Sequence, residues 1–183
     1  MNKNKLLTNI YDIASTILSS VLIICVIFTF FFKTSTVSGQ SMENTLHDGD
    51  NLIVTAIPTN YKYGDVVIIS QPNAYSKVLI KRVIAVGGQT VKFDFKEGTV
   101  SVDGEVLYEP YIKEKMKATL LMKSEYVVPE GKLFVMGDNR NHSADSRDMG
   151  VGMIDENYIV GKVIYKFGDK ELFNSDFKEL QNG

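Results

Sequence analysis

Lys77–Val86 reads KVLIKRVIAV and runs into Gly87-Gly88. The run is short, rich in β-branched residues and closed by a glycine pair, which predicts a strand. In a strand, successive side chains point to opposite faces. Lys81 then shares a face with Leu79 and Val83, and Arg82 shares the other with Ile80 and Ile84. Both faces are apolar, so at least one of the two cations is carried into a partly buried place. A buried cation needs a partner or must give up its proton. Arginine keeps its charge, so Arg82 requires a carboxylate. Lysine can give its proton up, and the free amine is a base. Taken alone, the segment also fits an edge strand whose lysine reaches water.

The flanking sequence is of the same kind. Asn51–Ile57 reads as a strand stopped by Pro58, and Val66–Ser70 follows the break at Gly64-Asp65. Val91, Phe93 and Phe95 alternate with polar residues, the period-2 pattern of a half-buried strand. Glu97-Gly98 turns the chain, Val100 and Val102 alternate again, and Asp103-Gly104 is a hairpin signal before Val106. Lys132–Met136 and Tyr158–Phe167 are further strands. The polar tail from Gly168 to Gly183 is expected to fray or form a short helix. The expected fold is mainly β: an antiparallel β-barrel or coiled β-sheet. Residues from about 89 to 128, more charged and hairpin-like, are expected to form a small inserted β subdomain.

Ile13–Phe32, IASTILSSVLIICVIFTFFF, is uncharged over 20 residues. At 1.5 Å per residue it reaches about 30 Å, the thickness of a bilayer core. A secretory signal peptide has a shorter apolar region and a small-residue cleavage site, and no such site follows Phe32. The run therefore reads as a retained transmembrane helix, with a cleaved signal or a buried core helix as the alternatives. Lys3 and Lys5 precede it against the single Asp12, whereas Glu43, Asp48 and Asp50 follow Lys33. The positive-inside rule then places residues 1–12 in the cytoplasm, 13–32 in the cell membrane as a single pass, and 33–183 outside. The net charge of −2 and the absence of a basic stripe argue against a nucleic-acid partner. Cys25, the only cysteine, rules out an intramolecular disulfide.

Two more segments carry reactive groups. Ser41 lies nine residues beyond Phe32, within Ser38-Gly39-Gln40-Ser41-Met42. Gly39 permits a tight turn or close backbone approach, which suits an exposed nucleophile; a linker serine is the plain alternative. Gly137-Asp138-Asn139-Arg140-Asn141-His142-Ser143-Ala144-Asp145-Ser146-Arg147 follows the apolar run Leu133–Met136. A polar loop this dense orders itself by Asx turns and ion pairs, and it offers Arg82 a carboxylate. His142 invites a Ser–His–Asp triad or a metal, but one histidine among scattered aspartates lacks metal-ligand spacing. The nearness of His47 to Ser41 in sequence says little about contact.

In this order after one N-terminal span, the segments resemble those of bacterial type I signal peptidases. SGQSMENTL (Ser38–Leu46) is similar to that family's nucleophile box, KRVIAVGGQ (Lys81–Gln89) to its lysine box, and GDNRNHSADSRDMG (Gly137–Gly150) to its third box. GDVVII (Gly64–Ile69) resembles a weaker one. The resemblance implies a membrane-bound serine endopeptidase that removes signal peptides from exported preproteins. Ser41 would be the nucleophile, Lys81 the general base, and Ser143 the group orienting the lysine amine. Asp138 would face Arg82, Asp145 and Arg147 would form a structural ion pair, and the Ser41 N–H would be one oxyanion donor.

Some members of the family carry a hydroxyl residue two before the nucleophile. Here that position is Gly39, with Ser38 one place off, so the second oxyanion donor is left open. Asn44 stands where the family often has proline, and Ala85-Val86-Gly87-Gly88-Gln89 departs from the usual continuation of the lysine box.

The lysine chemistry has a physical requirement. An ordinary lysine, with a pKa near 10.4, is about 0.04% neutral at pH 7, and burial lowers that pKa by up to about 3–5 units. The resemblance further implies preproteins with small residues one and three before the cut, read along a strand edge. The lipid bilayer is an expected partner and the secretion translocon a further candidate; neither metal nor organic cofactor is required. Two alternatives remain at this point: a related Ser/Lys protease that processes itself, and a non-catalytic anchored β-domain that binds ligands.

Overall fold

The computed structural model describes residues 3–57, 60–117 and 123–168. Pro58, expected to stop a strand, lies outside them, as do 118–122 of the expected insertion and the tail 169–183.

The chain opens with α1 (Lys3–Phe31). From Asn9 to Phe31 its mean hydropathy is 2.5 and none of it is buried against protein. Leu18, Leu22 and Phe30 are among the exposed apolar side chains. An all-round apolar helix without a protein partner is long enough to cross a bilayer. Several of its hydroxyls are satisfied internally: Thr16, Ser20 and Thr29 each donate to the carbonyl four residues back. That suits a medium with no water to serve them. The helix starts earlier than the apolar run, because helix propensity does not stop where hydropathy does. It ends at Phe31, because Phe32 is already paired with Thr55 in the sheet.

Among the described residues eleven strands follow: β1 (Phe32–Thr36), β2 (Asn51–Thr55), β3 (Val66–Ile69), β4 (Leu79–Val86), β5 (Thr90–Asp94), β6 (Thr99–Val102), β7 (Glu105–Val106), β8 (Glu125–Val127), β9 (Lys132–Met136), β10 (Ile154–Asp155) and β11 (Ile159–Lys166). They form an antiparallel seven-stranded sheet ordered β1-β2-β11-β3-β4-β9-β10 and a second sheet ordered β7-β6-β5-β8. The large sheet is curled and open, not a closed barrel: β1 and β10 stand at opposite edges. Register shifts at Val83/Ala85, Val163/Tyr165 and Ile159/Gly161 supply curvature. At Gly161 a Cβ would lie 2.4 Å from the Thr55 carbonyl oxygen, so only glycine lets β11 approach β2 there.

Three apolar clusters hold the domain. Leu52, Val54, Val66, Ile68 and Val163 pack with Val37, Met42 and Leu46 from the segment around Ser41. Val67, Ile69, Val83, Leu133 and Val135 pack with Val151 and Ile154. The second sheet, inserted between the paired strands β4 and β9, joins the first through Ile84, Ala85, Phe134 and Met136 against Val91, Phe93, Val100 and Val102. Phe93, Tyr126 and Phe134 contact one another by their rings there.

β1 was not expected, since FKTST shows no apolar alternation. It is an edge strand held by backbone bonds to β2. The short β8 and β10 were also unexpected, because two or three residues are too few to show a period.

Candidate active site

β4 carries Lys81 and Arg82 into the interior, where they are 2% and 0% exposed. The neighbours of Lys81 on its own face, Leu79 and Val83, both pack with the second of the clusters just described. Backbone pairing on both sides fixes the strand: Lys81 sits opposite Val67 on β3, and Arg82 opposite Val66 on β3 and Met136 on β9.

The two cations are treated differently. Arg82 receives a full set of partners. Its Nε and Nη2 donate to the two oxygens of Asp138 at 2.8 and 2.6 Å, and its Nη1 donates to the Gly64 carbonyl at 2.8 Å. Thr45 also donates to Asp138, and the Tyr111 ring lies 4.0 Å from the guanidinium carbon.

Among the described residues Lys81 has no carboxylate in contact. Its Nζ lies 2.7 Å from Ser41 Oγ and 3.0 Å from the Ile80 carbonyl oxygen. Burial drives its pKa down to about 8; Asp145 and Asp138 pull it back up from a distance, and Arg147 pushes it further down. At that value roughly a tenth of the amine is neutral at pH 7, some two hundred times more than for a free lysine.

Ser41 reaches Lys81 because its loop is tied at several points. Met42 and Leu46 are buried in the core on one side of it, and the Leu46 N–H donates to the Met42 carbonyl. Gly39 has φ +94°, a conformation that strains any residue with a Cβ, and its N–H donates to Asp48 at 2.7 Å. That N–H is therefore occupied. Ser38 is exposed and lines the groove beside Ser41.

The third segment grips the same loop. The Asn139 N–H donates to the Ser41 carbonyl at 3.0 Å, and its side-chain amide donates to the Gln40 carbonyl at 3.1 Å. Asp145 receives Arg147 at 2.7 Å and the Gly137 N–H at 3.0 Å. Burial alone would raise the Asp145 carboxyl. Arg147, the Gly137 N–H and the nearby Ser143 hydroxyl outweigh it and hold the group below the usual carboxylate range. Ser143 Oγ is buried and, among the described residues, makes no hydrogen bond of proper geometry, to Lys81 or to any other group. His142 lines the groove, whereas His47 pairs with Asp50.

A groove of about 550 Å³ runs past Ser41 and Lys81. One wall is Ser35–Met42 and the other Lys77–Lys81, with Tyr75, His142 and Ala144 at its margins. Both walls present free backbone. β1 pairs only with β2, and β9 covers β4 only from Arg82 onward. The Ser41–Lys81 pair thus sits between two strand edges that no described strand pairs, a geometry that accepts an extended peptide.

The residues missed in the sequence are those that brace the loops: Asn139, Arg140, Thr45, Glu109 and Tyr111. Arg140 stood in a quoted segment, but nothing local marked its partner, Glu109, which is 31 residues away. Gly137 was also passed over. A Cβ there would lie 2.4 Å from the Ser41 carbonyl oxygen and 2.3 Å from Ser143 Oγ. Gly137→Ala is expected to push the Ser41 loop aside and lower peptide-bond cleavage about a hundredfold, as a displacement near 1 Å does. Initial rates per folded molecule, with circular dichroism to establish folding, check this.

The family described as "Signal peptidase, peptidase S26" matches residues 10–167. Signal peptidase I of Bacillus licheniformis is 34% identical over 171 residues, covering 87% of this chain and 89% of its own. Signal peptidase I T of Bacillus subtilis strain 168 is 39% identical, covering 87% and 86%. Signal peptidase IB of Staphylococcus aureus is 34% identical, covering 85% and 87%.

Proposed function

The chain belongs to the signal peptidase family, peptidase S26, and from that premise we propose that it is a membrane-bound serine endopeptidase that removes signal peptides from exported preproteins through Ser41 and Lys81. The observation that carries the residue assignment is the 2.7 Å approach of a buried, pKa-lowered amine to a serine hydroxyl at the floor of a peptide-sized groove.

The neutral Lys81 amine accepts the Ser41 proton as Oγ attacks the scissile carbonyl carbon. The carbonyl electron pair moves to oxygen, and the Ser41 N–H, at the turn into Met42, donates to that oxyanion. Collapse of the tetrahedral intermediate breaks the C–N bond, and the Lys81 ammonium returns its proton to the leaving amine. The neutral amine then takes a proton from a water molecule whose oxygen attacks the acyl carbon, and on collapse the Lys81 ammonium returns that proton to the departing Ser41 Oγ, freeing acid and enzyme. Ser143, packed against Gly137, would turn its hydroxyl to the amine when substrate fills the groove. Asp138 with Arg82, and Asp145 with Arg147, brace the frame. The Ser38–Gly39 region is the candidate for the second oxyanion donor: Ser38 is exposed and lines the groove.

The division into a cytoplasmic residue 1–12 segment, a single-pass anchor and an extracytoplasmic residue 33–183 domain with an inserted subdomain is part of the same proposal. Lys3 and Lys5 before the span support it. β1 leaves the helix directly, which keeps the groove close to the bilayer where a signal peptide's cut site emerges. That closeness raises the local encounter rate. The walls at Val37, Val78, Leu79 and Ile80 suit small residues one and three before the cut, and the translocon is a natural neighbour.

The experiment is preprotein cleavage by the full chain in detergent micelles. Substrates carrying alanine one and three before the cut should be processed. Leucine at either place should lower kcat/KM by at least about tenfold, as overfilling a shallow pocket does. Equal processing of both would overturn the pocket assignment, and no processing of any preprotein would overturn the activity.

A further inference from the structure

The stretch after β7 crosses from the second sheet to the loops around Ser41, and the mechanism above gives it no part. Its ends are fastened in the second sheet. The Leu107 N–H donates to the Val100 carbonyl, and Met116 is buried beside Gly98 in the cluster around Phe93. Between these anchors alternate residues turn toward the catalytic loops. Glu109 takes Arg140 in a two-pronged contact, Nη1 to Oε2 at 3.0 Å and Nη2 to Oε1 at 2.5 Å, with both side chains almost fully buried. The Tyr111 ring lies 4.0 Å from the Arg82 guanidinium and 5.8 Å from that of Arg140. Lys113 reaches Glu43 at 2.6 Å, two residues after Ser41, and its N–H donates to the Asp138 carbonyl at 3.1 Å. Asn141 then ties itself to Lys115 and Lys117.

We propose that residues 107–117 form a strap that positions the nucleophile, with Glu109 and Lys113 as positioning residues for the reaction of Ser41 with Lys81. Two routes lead to Ser41. Lys113 holds Glu43 in the nucleophile loop itself. Glu109 fixes Arg140, whose Nε donates to the Gly137 carbonyl at 3.1 Å and whose carbonyl receives Arg147. That closes the 137–140 turn, and Asn139 in the turn holds the carbonyls of Gln40 and Ser41. A neutral Tyr63, its pKa pushed up to about 12 mainly by burial, contacts the Tyr111 hydroxyl and donates to the Tyr108 carbonyl. The inserted sheet thereby has a task in the chemistry: it is the fixed point against which the nucleophile loop is set. The strap touches no atom that reacts, so its effect falls on the rate of the bound complex and not on peptide binding.

The proposal rests on the reading of Ser41 and Lys81 as the reacting pair. It is tested with the full chain in micelles, a preprotein substrate and a serine-reactive covalent probe that counts competent Ser41. Glu109→Gln keeps shape and removes charge at the buried contact. Lys113→Met, Lys113→Glu and Glu43→Lys act at the half-exposed one. Expected are a fall in kcat per titrated site of roughly tenfold for Glu109→Gln and roughly threefold for each variant at the Lys113–Glu43 contact, with KM within about twofold of wild type. The reversed pair, Glu43→Lys with Lys113→Glu, should recover most of the loss suffered by either single change.

If only the number of titrated sites falls while kcat per site stays at the wild-type value, the strap is merely part of the fold and the proposal is overturned. Should Glu109→Gln not fold, the variants at Lys113 and Glu43 decide by the same criterion. Cleavage by Ser41→Ala would mean that the underlying reading had failed. An inactive Ser41→Ala beside unaltered strap variants overturns the strap alone.

Discussion

Replacing Lys81 by methionine is expected to lower preprotein cleavage by roughly a thousandfold or more and, at pH 7, to make the folded domain more stable. The loss follows from the role of the amine: methionine fills the same space but accepts no proton, and removing one member of a nucleophile–base unit costs nearly as much as removing all of it. Ser41→Ala should match it.

The gain in stability follows from linkage. The lysine titrates at about 8 in the fold against 10.5 when free. Between these values the unfolded chain binds the proton and the folded chain does not, so stability rises with pH across that window. Below about pH 8 both states carry the charge, and the fold bears the full penalty of its burial, on the order of 3 kcal/mol. Loss of the bond to Ser41 offsets about 1 kcal/mol of what methionine relieves. The measurement is urea unfolding of both proteins in the same micelles. The advantage of the variant should be largest at pH 7 and shrink as pH rises from about 8 to about 10.5. A variant no more stable than wild type at pH 7 would mean that the amine is not kept from water. Wild-type kcat/KM should rise through pH 8 on the same titration.

The second large effect is expected at Asp138. Asp138→Asn leaves the Arg82 guanidinium, which has no exposed surface, facing a neutral amide. Breaking a buried pair in this way costs about 3–5 kcal/mol, a large share of the roughly 5–15 kcal/mol that holds a domain together. The denaturation midpoint should fall accordingly. Glu125→Gln is the contrast: its partner Lys92, at 3.4 Å, is as open to solvent as Glu125 itself. That change should move stability by less than about 1 kcal/mol. Removing both buried charges, Arg82→Met with Asp138→Leu, should be milder than Asp138→Asn, because no charge is then left alone in the core. A single substitution as mild as Glu125→Gln would show that water reaches Arg82.

Strand positions were legible wherever side chains alternate against a core, because that pattern is local. Val91 and Phe93 against Val100 and Val102 show it; those two strands pair across the turn at Glu97-Gly98, and the hairpin signal at Asp103-Gly104 joins β6 to β7. β1 escaped because FKTST borrows its order from β2. The apolar neighbours of Lys81 and Arg82 announced that cations were being buried, and the apolar run announced a helix of membrane-spanning length. In each case the information lies within a few residues of its consequence.

The resemblance implied the partners of Lys81 and Arg82, but local pattern by itself could not decide which buried cation meets which oxygen. Ser41 and Lys81 are 40 residues apart, Arg82 and Asp138 are 56, and Arg140 and Glu109 are 31. Those contacts exist only after the sheet has curled and the strap has crossed it. Local preferences act over one turn or one strand, whereas the fate of each charge is set by the burial and partners that chain closure brings to it. The amino-acid order set a lysine and an arginine side by side on an apolar strand, so that at least one of them had to be carried inward; the tertiary structure buried both. The tertiary structure alone gave the arginine a carboxylate and the lysine a hydroxyl.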